Sequence, residues 1–198
     1  MSIEVDWDIV SELADHLVIR DDKEFSEYTD PEKVFYYSYI FMLEVNNGGI
    51  HQFLFNYSGD RTKETLDSLH QARFSDSTRM LMKAISLFPS SEVPVNTKDR
   101  RNLLDRISID KLRELDNLFY ATSDDFDSAL LIFIEKNMRQ SVLTVTLSSA
   151  ITKADSEFRN KNFNSVIDIL EPYEECLSPS KLTKLKVARK KSAASKSS

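Results

Sequence analysis

Glycine and proline are scarce in this chain, which has only three glycines and five prolines among its 198 residues. A sheet of many short strands needs more turn residues than that, so the composition predicts helices. With 41% hydrophobic residues, the chain is able to bury a core of its own. We therefore expect an all-α fold, in which a compact multi-helix domain is followed by a C-terminal helical hairpin.

Cysteine is almost absent as well. The single residue, Cys176, excludes an internal disulfide framework and any zinc site built from several cysteines. The first residues contain neither a basic segment nor a long apolar run, so we expect no signal peptide and no membrane span. Both observations favour a cytoplasmic protein.

The common motifs of catalysis and cofactor binding are missing too. The sequence contains no GxxxxGK[ST] phosphate loop, no GxGxxG after a strand, no HExxH and no GxSxG. His16, His51 and His70 do not have the spacing of zinc ligands, and the acidic run at 124–127 lacks the glycine and glutamate of a calcium loop. We expect no enzymatic activity, no cofactor and no metal site.

Charge, in contrast, is abundant and unevenly distributed. The net charge is −6, but residues 179–198 carry seven Lys or Arg and no acid, which leaves 19 bases against 32 acids in the rest of the chain. Residues 1–32 alone hold 11 acids and two bases. A negative field of this kind attracts basic partners and repels nucleic acid and membrane surfaces.

The acids near the N-terminus follow helical spacing. Apolar residues that start at Trp7 recur every three or four positions up to Leu17, and acids recur on the opposite side of the same helix. We call Glu4, Asp8, Glu12 and Asp15 the acidic ridge. Acids one turn apart are separated by roughly 6 Å, close to the phosphate spacing along a DNA strand. The candidate partner-binding residues are Glu4, Asp8, Glu12, Asp15, Asp21, Asp22, Asp110 and Glu114. The alternative is that any amphipathic helix exposes charges.

Helix boundaries can be placed from capping residues. Asp30 before Pro31 predicts the start of a long buried helix, and Asp110 is expected to cap a later one. Residues 141–148 alternate like a strand, but the helical spacing of the apolar residues continues to Phe158, so we predict a helix there. The predicted organisation is an acidic domain over residues 1–138, a helical hairpin packed on it over 139–190, and a flexible basic tail over 191–198.

All three glycines fall in one stretch, EVNNGGIHQFLFNYSGD at residues 44–60. Gly48 and Gly49 would end one helix and let a short new helix start at a sharp angle. The side-chain amides around them could satisfy loose backbone groups at this corner, or they could line a pocket for a polar ligand. The motif residues are Asn46, Asn47, Gly48, Gly49, Gln52, Phe53, Asn56, Ser58, Gly59 and Asp60.

This stretch, with YYSYIFMLE before it and LRELDNLFYATSDDFDSALLIFIEKN after it, resembles a bacterial family of helical domains of unknown function whose named member is a DNA-mimic protein. The resemblance spans roughly residues 5–138, and Ile50 stands where the family usually has an aromatic residue. It implies an all-helical fold and a homodimer. For the named member it implies an acidic surface that occupies the DNA-binding face of a transcription regulator.

We therefore expect a non-enzymatic acidic interaction protein, which acts as a DNA mimic on a transcription regulator or another basic DNA-binding protein and makes no direct contact with nucleic acid. Two alternatives remain open. One is an immunity or adaptor module whose partner binds the C-terminal hairpin, and the other is a domain that binds a small polar ligand in an amide-lined pocket.

Overall fold

The computed structural model of the chain describes residues 5–18, 25–121 and 123–195. The described residues form helices and no strands, which confirms the predicted all-α class. The α-helices are α1 Trp7–Val18, α2 Asp30–Phe55, α3 Thr62–Gln71, α4 Ser75–Ser86, α5 Thr97–Leu104, α6 Ile109–Tyr120, α7 Ser123–Asn137, α8 Arg139–Arg159, α9 Phe163–Leu170 and α10 Pro179–Ser195. None of the helices in these ranges is long and apolar enough to cross a membrane.

The chain divides into two compact units. The N-terminal unit is Val5–Arg139, and the C-terminal unit is the described part of Gln140–Ser198. Helix α2 is the centre of the N-terminal unit, where it contacts α1, α3, α5, α6 and α7. Phe35, Phe41 and Phe53 on this helix are almost completely buried. The long aromatic helix therefore supplies the core, as its nearly continuous apolar sequence predicts.

The start of α2 differs from the prediction by one residue. Thr29, rather than Asp30, is the N-cap: its hydroxyl accepts the Glu32 N–H, and the Glu32 carboxylate accepts the Thr29 N–H at 2.9 Å. This reciprocal capping box satisfies two loose backbone donors, which a simple Asx cap would not do. The predicted cap at Asp110 is also wrong, because α6 begins at Ile109 after Ser108.

Helix α1 buries the face that its periodicity predicts. Val10, Leu13 and Leu17 have no exposed area, whereas Trp7, in the first turn, is 40% exposed. The first residue of a helix has neighbours on one side only, which leaves a large ring partly in solvent. The orientation of α1 is thus fixed by its buried aliphatic residues, and its acids lie on the other side of the helix.

The C-terminal unit has its own core, formed by α8, α9 and α10. Residues 141–148 lie within α8, which confirms helix over strand. Helix α10 reaches Ser195, so residues 191–195 of the predicted tail are helical, and residues 196–198 lie outside the described residues. Leu185, Ala188 and Ser192 are buried along one side of α10, and this stripe is easily overlooked among many lysines. Its burial holds the last turns of the helix against the unit.

Candidate functional site

The glycine-rich stretch forms a sharp break within α2. Gly48 has φ −162° and ψ 26°, and Gly49 has φ 73° and ψ −176°, so neither residue is helical. The helix resumes at Ile50, and Ile50, Phe53 and Leu54 on the short second half are buried. This confirms the predicted end of one helix and start of another. We call residues 44–60 the motif corner.

The carboxylate of Glu44 organises the side chains of the motif corner. It accepts hydrogen bonds from Gln52 Nε2 at 2.7 Å, Asn56 Nδ2 at 2.9 Å and Ser58 Oγ at 3.1 Å. Ser58 Oγ also lies 3.2 Å from the Phe53 carbonyl oxygen. The amide donors of Gln52 and Asn56, which a polar ligand would need, are thus engaged by a side chain of the same corner. This arrangement favours a structural role for the amides.

Arg100 on α5 reaches into the C-terminal end of the corner. Its side chain is completely buried, and its guanidinium lies 2.6 Å from the Asp60 carboxylate. It also donates to four backbone carbonyl oxygens, those of Leu54, Asn56, Pro94 and Val95. The carbonyls at a helix end have no partner within the helix, so this one cation satisfies the end of α2 and neutralises Asp60.

Gly59 is required by this same contact. A Cβ atom at position 59 would lie 2.6 Å from Arg100 Nε and 2.8 Å from the Leu54 carbonyl oxygen. Any side chain would therefore displace the buried guanidinium from its acceptors. The glycine allows the backbone to approach Arg100 closely, which explains its place in the motif.

Asp116 on α6 closes the other end of the corner. Its Oδ1 atom accepts the Ile50 N–H at 2.7 Å and so caps the second half of α2 from another helix. Tyr120, one turn further along α6, donates its hydroxyl to the Val45 carbonyl oxygen at 2.9 Å. Burial raises the pKa of the Asp116 carboxyl above its ordinary 3.8, and the Ile50 N–H and nearby His51 partly offset this effect.

The raised pKa of Asp116 gives a testable pH dependence. The folded state holds a proton on this carboxyl more tightly than the unfolded state, so its contribution to stability is fully present below the ordinary pKa and is lost as the pH rises through the raised value. Asp116→Asn keeps an acceptor for Ile50 and removes the titration. We expect the difference in unfolding free energy between the native chain and Asp116→Asn to decrease as the pH rises from the ordinary pKa through the raised pKa. Urea titrations at a series of pH values measure this difference. A difference that is constant with pH would contradict the assignment.

Most of the predicted motif residues are buried or half-buried, but those just before the break are not. Phe53 and Gly59 are buried, Gln52, Asn56, Ser58 and Asp60 are half-buried, and Asn46, Asn47 and Gly48 are exposed. Three partners that complete the corner, Glu44, Arg100 and Asp116, are not among the residues that the sequence predicts for it. Arg100 and Asp116 lie 46 and 66 residues from their acceptor or donor in α2, and no local pattern reports such a contact.

The acidic ridge lies on the outer side of α1. Asp8 and Asp15 are exposed and Glu12 is half-buried, while Glu4, together with Asp21 and Asp22, is outside the described residues. Among the residues that the structure describes, no cation lies within ion-pair distance of Asp8, Glu12 or Asp15. Asp15 is close enough to α2 that, after burial, its charge raises the pKa of Tyr39. These three carboxylates therefore form a row that carries uncompensated charge.

The second predicted acidic pair, on α6, has a cation beside it. Asp110 and Glu114 are both exposed on α6, but Arg113 Nη1 lies 3.4 Å from Asp110 Oδ1. An exposed pair of this kind partly neutralises the local field. Asp110 and Glu114 are thus weaker candidates for partner binding than the acidic ridge.

The two units carry opposite net charges. The N-terminal unit, residues 5–139, contains 25 acids and 16 bases, a net charge of −9. Residues 140–198 contain six acids and ten bases, a net charge of +4. The whole-chain value of −6 therefore hides an acidic unit followed by a basic one.

Comparison with known proteins finds one family whose model covers the motif corner. The family model of DMP19-like proteins matches residues 26–137, which is more than half of the chain and includes Glu44, Arg100 and Asp116. The acidic ridge lies before the matched range. No curated protein and no solved structure matches the chain. By the extent of the family match, the chain belongs to the DMP19-like proteins.

Proposed function

We propose that this protein is a non-enzymatic DNA mimic, in which the acidic ridge of α1 occupies the DNA-binding surface of a basic protein such as a transcription regulator. Membership of the DMP19-like family suggests a role of this type. The observation that carries the proposal for this chain is the row of Asp8, Glu12 and Asp15, which has no cation within ion-pair distance in the described residues.

The geometry of α1 suits a rigid row of charges. Val10, Leu13 and Leu17 are fully buried and fix the rotation of the helix about its axis. At a rise of 1.5 Å per residue, Asp8 and Glu12 are separated by about 6 Å along the axis, and Asp15 lies about 4.5 Å further on. A protein that contacts successive phosphates along DNA would meet carboxylates at a similar spacing.

The electrostatics of the N-terminal unit support the same role. Its net charge of −9 produces a field that steers a positively charged surface towards it. Exposed charges are screened within about 8 Å at physiological ionic strength, so the association should weaken strongly as salt increases. We also propose that the protein is cytoplasmic and homodimeric, the latter as the family resemblance implies.

The proposal can be tested by charge neutralisation. Partners would be captured from the native cytosol at low salt and eluted at high salt, and the captured protein would then be tested for binding to duplex DNA. We expect the intact chain to compete with that DNA. The triple variant Asp8→Asn, Glu12→Gln, Asp15→Asn should lose at least about tenfold in affinity, because each carboxylate faces a cation in the complex.

A matched control removes the same charge elsewhere. Asp67, Asp105 and Glu135 are exposed on other parts of the N-terminal unit. Changing them to Asn, Asn and Gln should weaken binding only through the net charge, by much less than the ridge variant. Equal losses in the two variants would show that the ridge is not the binding surface. Unchanged binding by the ridge variant would reject the proposal.

A further inference from the structure

A cavity of about 210 Å³ lies in the N-terminal unit, where α4 begins beside α7. Its polar lining comes from the turn before α4 and from the first turn of that helix. An apolar cavity of about 150 Å³ is large enough for benzene, so this one has room for a ring with a small polar group. The polar lining residues are Arg73, Asp76 and Ser77, and the apolar ones are Phe74, Phe126 and Ala129.

The first turn of α4 has loose hydrogen-bond donors. The helix has no side-chain cap, and the Ser75 N–H binds the Arg73 carbonyl oxygen at 2.9 Å. The next two N–H groups, of Asp76 and Ser77, have no acceptor in the part of the chain that the structure describes. N–H groups in the first turn point out of the helix at the positive end of its dipole, so they attract an anion.

The Ser77 side chain gives an independent indication of a ligand. Ser77 is only 4% exposed, and its hydroxyl makes no hydrogen bond to any described residue. The carbonyl oxygen one turn before it, that of Arg73, already accepts the Ser75 N–H, whereas the hydroxyl of the next residue, Thr78, donates to the Phe74 carbonyl oxygen at 2.8 Å. Buried hydroxyls normally have a partner, and this one lines the cavity. We therefore expect its partner to be a molecule in that space.

The charges around the cavity favour a single negative charge on this molecule. The Asp76 carboxylate lies 3.1 Å from Arg79 Nη1, whereas Arg73 is exposed and has no acid within ion-pair distance among the described residues. Arg73, Asp76 and Arg79 together carry a charge of +1. Asp76, and the acids that neighbour Phe126 in the sequence, would repel a second negative charge.

We propose that this cavity binds a small organic carboxylate whose apolar part is about the size of a phenyl ring. Its carboxylate would accept the Asp76 and Ser77 N–H groups and the Ser77 hydroxyl, with the Arg73 guanidinium nearby. Its apolar part would lie against Phe74 and Phe126, whose ring centroids are 4.4 Å apart. This proposal does not depend on the proposed function of the acidic ridge.

The test is a titration of the full chain with benzoate, followed by heteronuclear NMR of the backbone amides. We expect saturable shifts of the Asp76 and Ser77 amide signals, because these two N–H groups gain an acceptor. Benzyl alcohol has the same ring without the charge and should bind at least about tenfold more weakly, since hydrogen bonds to a charged group are the stronger ones. Inorganic phosphate, which has no apolar part, should also bind more weakly than benzoate.

The variant Ser77→Ala should bind benzoate about tenfold more weakly. Its stability in urea should not fall, because the hydroxyl has no hydrogen bond to lose in the free protein. Arg73→Asn should also weaken binding, and asparagine tolerates the left-handed φ of 63° at this position. Ser86→Ala and Lys83→Gln, at the other end of α4, are the matched controls and should bind as the native chain does.

Three results would overturn the proposal. The first is the absence of saturable shifts at Asp76 and Ser77, and the second is equal or tighter binding of benzyl alcohol or phosphate. The third is an affinity for benzoate that Ser77→Ala leaves unchanged.

Discussion

Replacing Arg100 with methionine should lower the free energy of unfolding by about 3–5 kcal/mol, the usual cost of removing one partner of a buried ion pair. The Arg100 side chain has no exposed area, and Asp60 would remain with its charge but without its cation. The Leu54 carbonyl oxygen would also lose the donor from Arg100, and the Asn56 carbonyl oxygen would keep only the Gly59 N–H. Methionine fills much of the same space, so the loss is mainly electrostatic and not a cavity.

The neighbouring arginine provides the control for this experiment. Arg101 donates to the Phe55 carbonyl oxygen at 2.7 Å and lies 3.9 Å above the Phe55 ring, but near the surface. Arg101→Met should cost about 1 kcal/mol, because solvent can replace its hydrogen bond. Urea unfolding followed by circular dichroism measures both variants. If Arg100→Met cost no more than Arg101→Met, the buried guanidinium would not be the centre of this end of the corner.

Replacing Gly49 with alanine should destabilise the N-terminal unit by about 2–4 kcal/mol, since two penalties combine. The φ of 73° is strained for any residue with a Cβ, and a Cβ here would lie 2.3 Å from Asp116 Oδ2. Asp116 could move away only by giving up the Ile50 N–H at 2.7 Å. The substitution therefore affects both the backbone and the cap of the short helix.

Gly48→Ala separates strain from simple crowding. The φ of Gly48, −162°, is open to every residue, and a Cβ there would meet Gln52 Oε1, the far end of a flexible side chain, at 2.3 Å and Gln52 Cβ at 3.0 Å. Rotation of Gln52 would sacrifice one hydrogen bond to Glu44, a cost of about 1 kcal/mol. Thermal and urea unfolding should therefore rank Gly49→Ala as clearly less stable than Gly48→Ala. The reverse order would contradict the role assigned to the left-handed conformation.

Local sequence patterns were sufficient for much of the helical architecture. The break at Gly48 and Gly49 could be predicted because glycine adopts angles closed to other residues, and the buried side of α1 because periodicity reports which face is apolar. The choice of helix for 141–148 required a window longer than the strand-like segment. In each of these cases the physical cause acts within a few turns of one helix.

The contacts that complete the motif corner could not be found in this way. Asp116 caps a helix 66 residues away, and Arg100 binds carbonyls more than 40 residues away, so their roles depend on how α2, α5 and α6 pack. In sequence, both look like ordinary charges on amphipathic helices. The capping residue Thr29 was missed for a different reason, because Asp30 and Thr29 are both good caps and only the position of Glu32 distinguishes them.

The hydrogen bonds that Glu44 accepts all come from side chains within the motif corner. Gln52, Asn56 and Ser58 donate hydrogen bonds to one carboxylate of their own chain, so these groups do not have to contact anything outside the motif corner. The outer side of α1 can then change its charges without disturbing the bend. Two proteins that share the motif corner can therefore expose different charges on α1.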